Sequence, residues 1–260
     1  MTPSINVNMN KKIDQRAEQG FAADAEAYDR GRPSYPREAI TTLCSCLNAE
    51  PAVKVVDLGA GTGKLTRLLI PHTDVVAVEP VAAMRDVLAK SAPSTRVLDG
   101  SAEAIPLEDG FADAITVGQA FHWFSSAVAL KEMHRVLKPH GQLGLIWNLR
   151  DESVQWVSEI MDTLRPFEAS TPRYTSGLWK KAFENQGFFQ LKNHEQWKHT
   201  VPNTIADVMT HVASISYVAN LDAAVRTEAL AKIEARLQSH FPGGQLQFPY
   251  LTDLWCYRRL

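Results

Sequence analysis

From Val53 onward the chain alternates short apolar runs with longer stretches in which apolar residues recur every three or four positions. The short runs predict strands at Val53–Leu58, Val75–Glu79, Thr95–Leu98, Asp113–Gly118 and Gln142–Asn148. Helical periodicity begins near Lys64, Val81 and Ser126. The last of these places Val128, Met133, Val136 and Leu137 on one side, and Lys138–Pro139 with Gly141 beyond supplies the stop. Strands alternating with helices predict a parallel sheet covered on both faces, and right-handed crossovers fix much of its topology.

The second half changes character. Asp151–Arg165 and Ser176–Gln186 read as helices, Phe188–Val201 and Gln247–Arg259 as long strands. Between those strands lie helical patterns at Thr204–Val218 and Leu221–Gln238, and Thr204 with Asp207 resembles a capping box. Leu221, Val225, Leu230, Ile233 and Leu237 make an apolar stripe that suits either core packing or a mobile lid over a cleft. The polar residues 1–15 predict disorder. Residues 16–260 then form one α/β domain, doubly wound around a mostly parallel seven-stranded sheet, with 203–240 inserted before the last strand as a helical cap.

Chemistry concentrates in VKVVDLGAGTGKLT, Val53–Thr66. A buried strand ends in Asp57, and Gly59, Gly61 and Gly63, with Ala60 between them, space a tight turn into a helix. Dinucleotide enzymes separate their last two glycines by two residues and hold pyrophosphate on the helix N-terminus. Here the glycines fall at every second position and the strand ends in an acid, which suits a ligand bearing a positive amino group. Glu79 closes the next strand, where a carboxylate accepts hydrogen bonds from ribose hydroxyls. Pro80, Val81 and Met84 follow, where an adenine ring needs apolar cover.

Composition narrows the partners. With 27 basic and 29 acidic residues in 260, the chain lacks the basic excess of a nucleic-acid binder. No run approaches the ~20 apolar residues a membrane span needs. The three cysteines, Cys44 and Cys46 in a helical pattern and the distant Cys256, suggest neither a metal site nor a disulfide framework. The histidines His194, His199, His211 and His240 show no metal spacing, so no metal is expected. These readings predict a cytoplasmic protein with a small-molecule partner; oligomeric state stays open.

The segments DLGAGTG (Asp57–Gly63), Glu79–Pro80, DGSAEAIPL (Asp99–Leu107), ADAITVGQAFHWF (Ala112–Phe124) and HRVLKPHGQLGLIWN (His134–Asn148) together resemble the class I S-adenosylmethionine-dependent methyltransferases. With FAADAEAYDRGRPSYP (Phe21–Pro36), the chain is most similar to the small-molecule branch that includes trans-aconitate-type and cantharidin-type enzymes. The resemblance implies a Rossmann-like methyltransferase fold and methyl transfer from S-adenosylmethionine to a carboxylate or hydroxyl oxygen. It implies that Asp57 and the Gly59/Gly61 backbone hold the methionine portion, that Glu79 holds the ribose, and that Ser101 and Ala102 meet the adenine edge. Gln119 lines the cofactor, and His122 and Trp123 stand near the transferred methyl, His122 as a base or an orienting group. Ser101 occupies a position where relatives often carry Asp, and His140 one where glycine is common.

Around this core, Arg32, braced by Pro33 and Tyr35, suits a clamp on the cofactor carboxylate. Tyr28 suits a hydroxyl donor to the same group or a packing aromatic. Trp147 suits a substrate-pocket wall or core. Two other readings stay open: a nicotinamide-dependent oxidoreductase on the same architecture, and a non-catalytic S-adenosylmethionine-binding protein.

Overall fold

The computed structural model describes Ala25, Asp29 and residues 31–168 and 172–260. Tyr28 and the N-terminal stretch read as disordered lie outside the described residues. A helix, α1 (Arg37–Cys46), precedes the first βα units: β1 (Lys54–Leu58), α2 (Lys64–Leu69), β2 (Asp74–Val78), α3 (Ala82–Ser91) and β3 (Arg96–Leu98). Then come β4 (Ala112–Gly118), a 3₁₀ turn at Phe121–Trp123, α4 (Ala127–Val136), β5 (Leu137–Arg150) and α5 (Gln155–Leu164). The chain ends with β6 (Phe189–Thr204), the helices α6 (Ile205–Ala213), α7 (Ser216–Ala219) and α8 (Ala223–His240), and β7 (Gln245–Arg259).

The seven strands form one sheet in the order β3-β2-β1-β4-β5-β7-β6. The first five strands are mutually parallel, β7 runs antiparallel to β5, and β6 antiparallel to β7. This is the predicted doubly wound α/β architecture. The strand order reverses between β1 and β4, and the crevice at the carboxyl ends of those strands is where such sheets place ligands. Strand alternation explains the two-sided core. In β5, Leu143, Leu145 and Trp147 pack into a cluster with α4 and the 3₁₀ turns, while Ile146 packs with α1 and α2 on the opposite face. A separate cluster joins α5 to α6–α8: Val157, Ile160 and Leu164 meet Val208, Val212, Ile233 and Leu237.

Local chemistry sets the boundaries. Ser126 caps α4, its side chain accepting from the Ala129 N–H. Thr204 and Asp207 form the expected capping box at α6. Two expectations need correction, and one noted departure proves to carry a cost. Residues 176–186 form short 3₁₀ turns at Tyr174–Ser176 and Leu178–Phe183 rather than a helix, because the left-handed Gly177 and Asn185 leave too few residues between them to propagate one. His140 adopts φ 64°, a conformation that favours glycine, so its replacement of the common glycine carries a backbone cost. Cys46 of α1 and Cys256 of β7, with Cα atoms 6.1 Å apart, are bridged as a disulfide across 210 residues, a pairing that spacing alone does not reveal. No helix among the described residues is long and apolar enough to cross a membrane.

Candidate active site

Asp57 ends β1 fully buried, and only one of its oxygens is engaged inside the protein. Its Oδ2 accepts from the Thr66 hydroxyl at 2.6 Å, one helical turn into α2, while Oδ1 is buried with no partner among the described residues. Burial pushes its pKa up to about 7, with the nearby Glu79 adding to the rise and Thr66 opposing it. The turn that follows adopts positive φ at Gly59, Gly61 and Gly63. At Gly61 a Cβ would meet nothing within 4 Å, so the backbone there borders open space.

Glu79, just past β2, is tied to that turn. One carboxylate oxygen accepts from the Gly61 N–H at 2.9 Å and the other from the Val81 N–H at 2.8 Å. Burial raises its pKa, and these two bonds partly restrain the rise. Each carboxylate oxygen keeps further lone-pair capacity for a ligand. The Gly59 N–H binds the Val78 carbonyl at 2.8 Å, so the ends of β1 and β2 hold the two acids in a fixed relation.

These groups face one cavity at the crevice. Asp57, Gly59, Ala60, Gly61, Glu79, Pro80, Met84, Ser101, Ala102, Gln119, Arg32 and Trp123 all line it. Tyr35, which suited either a hydroxyl donor to the cofactor carboxylate or a packing aromatic, lines it too, as do Thr62, Lys64, Glu103 and Phe124, to which the sequence reading assigned no place there. The signal for Lys64 was weak, a lysine at the start of a helix. Gln119 adopts φ 61°, and its side chain donates to the Asn148 carbonyl at 3.1 Å. Such a strained backbone at a cleft marks a position held by its surroundings.

Gly63 does not line the cavity. It starts α2 at φ 85°, and a Cβ there would come within 2.9 Å of Leu88, so its role is close packing of α2 on α3. Trp147 does not line it either. Period-two alternation along β5 turns its side chain into the core, where it lies 4.9 Å from both Tyr174 and Trp179. The substrate-wall reading of Trp147 is therefore replaced by a supporting one: its indole N–H donates to His122 Nδ1 at 3.3 Å. His122 does not line the cavity; it is half-buried beside the lining residue Trp123, their rings 5.5 Å apart. Burial, with repulsion from Arg32, pushes its imidazole down to about 3. His134 does not line the cavity; its Nε2 accepts from Arg259 Nε at 3.1 Å. Among the described residues no group of His, Cys, Asp and Glu stands together as a metal site.

The segment before α1 closes one side. Asn148 donates to the Ser34 carbonyl at 3.0 Å, and the Thr62 hydroxyl and Arg67 both bind Asp29.

Comparison with known proteins agrees with this geometry. Residues 56–145, from within β1 to within β5, match the family model of a methyltransferase domain. An uncharacterized methyltransferase of Mycobacterium tuberculosis is 41% identical over 239 residues, spanning 89% of this chain and 92% of that protein. An uncharacterized methyltransferase-like protein of Schizosaccharomyces pombe is 33% identical, spanning 87% and 88%. Among solved structures, one from Anaeromyxobacter dehalogenans assigned as a type II methyltransferase shares the fold at TM-score 0.65 and 19% identity, covering 87% and 97%. The [4+2]-cyclase SpnF shares it at TM-score 0.54 and 15% identity, covering 92% and 95%. Fold alone thus hosts more than one chemistry. Identity over nearly the whole length, with an acid-ended β1, an alternate-glycine turn and an acid-ended β2 facing one crevice, decides the matter: the chain belongs to the S-adenosylmethionine-dependent methyltransferases.

Proposed function

We propose that the cavity binds S-adenosylmethionine and that the enzyme transfers its methyl group to an oxygen, carboxylate or hydroxyl, of a small-molecule acceptor. The observation that carries this is the unpartnered Asp57 Oδ1 beside the open space over Gly61. A buried polar atom lacking a partner costs about 1–3 kcal/mol, so the site is built for a donor that arrives with a ligand. The ammonium of the methionine portion meets that need. The spare acceptor capacity of Glu79 suits the ribose hydroxyls, and Val81, Met84 and Ala102 give an adenine ring apolar cover beside Ser101. Arg32 suits the cofactor carboxylate.

When bound, the sulfonium supplies an electrophilic methyl carbon and a neutral leaving group. The chain's own contribution is alignment and exclusion of water, and positioning alone supplies about 7–11 kcal/mol of barrier reduction in well-oriented systems. His122 contributes as an orienting donor. Its Nδ1 accepts from Trp147, so the neutral ring carries its proton on Nε2 and offers that N–H to an acceptor oxygen. An imidazole held near pKa 3 is a poor general base at neutral pH. Resemblance to the acid-methylating branch supports an acceptor that is already ionised and needs no base.

Calorimetry with S-adenosylmethionine and S-adenosylhomocysteine tests the cofactor assignment, with NADH as the contrasting ligand. Tight binding of the first two and none of NADH is expected; the reverse pattern overturns the reading. Transfer of labelled methyl to a small-molecule pool then separates an enzyme from a cofactor-binding protein without turnover.

A further inference from the structure

β5 ends in Arg150, paired across the sheet with Tyr250 of β7. The residue is half-buried, and its guanidinium lies deep enough that burial pushes its pKa down, with Arg32 adding repulsion. Among the described residues no carboxylate stands at ion-pair distance from it. Its side-chain partner is His211 of α6, with Nη2 3.1 Å from the imidazole Nε2, and His211 Nδ1 lies 3.3 Å from the Tyr250 hydroxyl. The neighbouring acids are committed elsewhere. Glu152 pairs with Arg165 at 2.6 Å, and Glu168 pairs with Arg173 and accepts from Tyr217 at 3.4 Å.

The direction of these bonds matters. A guanidinium only donates, so His211 Nε2 accepts, and Nδ1 carries the proton that is donated to the Tyr250 oxygen. Burial, with repulsion from Arg150, Arg32 and Lys64, holds His211 neutral. The Tyr250 O–H is then left to donate outward. The cluster therefore offers a guanidinium cation and the Tyr250 O–H as donors, with His211 holding the two in place. A buried charge is tolerated only when paired, and the described fold supplies no partner of opposite sign.

The cluster lies next to the cofactor cavity. Asn148, two residues before Arg150 on the same face of β5, holds both Gln119 and the Ser34 carbonyl. Gly31 lies against the His211 backbone, so the segment carrying Arg32 spans from the cavity to α6. Arg150, His211 and Tyr250 do not line the cavity itself, where Arg32 is the group proposed for the cofactor carboxylate.

We propose that Arg150 and Tyr250, aligned by His211 between them, bind a carboxylate carried by the methyl acceptor. A carboxylate held by a guanidinium is a weakened nucleophile, so this group is the handle. The methylated oxygen is a separate one, presented near His122 and Trp123. The substrate class is thus a small acid bearing a second nucleophilic oxygen. This inference rests on reading the adjoining cavity as the cofactor site.

The test uses full-length wild type, Arg150→Met and Tyr250→Phe. Calorimetry measures S-adenosylhomocysteine binding first. Succinate, glycolate and octanoate, each against its amide, are then titrated into the apo and the S-adenosylhomocysteine-loaded protein. At least one acid, and not its amide, is expected to bind wild type at or below about 10 mM, with at least tenfold loss in Arg150→Met and a smaller loss in Tyr250→Phe. S-adenosylhomocysteine affinity should change less than about threefold in both variants. Because Arg150 lacks a described counter-charge, the apo Met variant should melt no lower than wild type. Three results overturn the proposal. They are no acid binding in either form, equal binding of acid and amide, or a tenfold loss of S-adenosylhomocysteine affinity in Arg150→Met, which assigns the cluster to the cofactor carboxylate. If Arg150→Met does not fold, Arg150 is structural, and unchanged acid binding in Tyr250→Phe overturns the remainder. Failure of wild type to bind S-adenosylhomocysteine defeats the cofactor reading separately, since the apo titration still reports on the acid.

Discussion

The two halves of the sheet solve the same problem, holding charge at a cleft, in opposite ways. In the half built from β1 to β4 the charges are acids, and backbone or hydroxyl groups close by in sequence brace them. Glu79 accepts from Gly61 and Val81, and Asp57 from Thr66. In the half built from β5 to β7 the charge is a cation, and its surroundings come from afar: Arg150 meets His211 and, through it, Tyr250. Local bracing fixes a site before ligand arrives. Assembly from distant segments makes a site that depends on the packing of α6 and of the segment around Gly31. The first half should therefore lose binding steeply when one group is removed, and the second should show its character in ligand-linked ordering.

The largest effect is expected at Glu79. Glu79→Ala removes one charge-assisted bond to the glycine turn, one to the Val81 N–H and the proposed ribose contacts, and should weaken S-adenosylhomocysteine binding by about 2–4 kcal/mol, roughly 30- to 1000-fold. Calorimetry decides, and an unchanged dissociation constant removes Glu79 from the ribose site.

Asp57 sharpens the comparison, because binding and stability should move in opposite directions. Its folded pKa near 7 lies above the ordinary 3.8. Between those values the folded state keeps a proton that the unfolded chain releases, so this group's contribution to stability falls as pH rises from about 4 to 7 and is flat above. Asp57→Asn removes that slope while keeping an acceptor for Thr66. The variant should be more stable than wild type at pH 8, by about 1–3 kcal/mol, yet bind cofactor about ten- to a hundredfold more weakly. Denaturant melts at pH 5 and pH 8 measure the first effect. A variant less stable at both pH values would show that the Asp57 charge is compensated within the fold.

This contrast also explains what the sequence could disclose. The glycine turn, Asp57, Glu79 and Gln119 stand at strand ends a short distance apart, so an apolar run ending in an acid or a turn announces each of them. Arg150, His211 and Tyr250 lie 39 to 61 residues from their partners, and only the strand order brings them together. The Cys46–Cys256 bridge was hidden for the same reason. Trp147 was misread on different grounds: an aromatic near a site suggests a wall, and only the phase of β5, fixed by pairing with β7, turns it inward. His211 looked like one more histidine without metal spacing, and its value comes wholly from topology.

The helices between β6 and β7, proposed as a cap, offer a finer discrimination. α8 buries Ala229, Ile233 and Leu237, the last two in the cluster shared with α5, whereas α6 presents His211 toward Gly31 and Arg150. Hydrogen exchange should show α6 amides slowed by about tenfold when S-adenosylhomocysteine and an acid are both bound, with α8 unchanged, because elements that move on binding come from the less stable part of a structure. Equal protection of α6 with and without ligand would make the whole insertion ordinary core.

The smallest effect is expected at His122, which lies where the two halves meet. Trp147 fixes its Nδ1 as an acceptor, and burial with the Arg32 charge keeps the ring neutral throughout the neutral range. Its part is then to donate Nε2–H to an acceptor oxygen. Asn can supply a comparable donor at nearly the same reach, so His122→Asn should slow single-turnover methyl transfer by about tenfold or less, below the ~10²–10⁴-fold of a lost general base. The wild-type rate should also be flat with respect to this group from pH 5.5 to 8.5, because a ring with a pKa near 3 does not titrate there. Trp147→Phe separates support from chemistry. It frees Nδ1 without touching the acceptor, lets the tautomer exchange, and should cost about as much as the Asn variant if orientation is the whole contribution. A thousandfold loss in His122→Asn, with a wild-type rate that climbs through a pKa near the unperturbed histidine value of roughly 6.5, would make His122 the base and move the acceptor from an ionised acid to a hydroxyl.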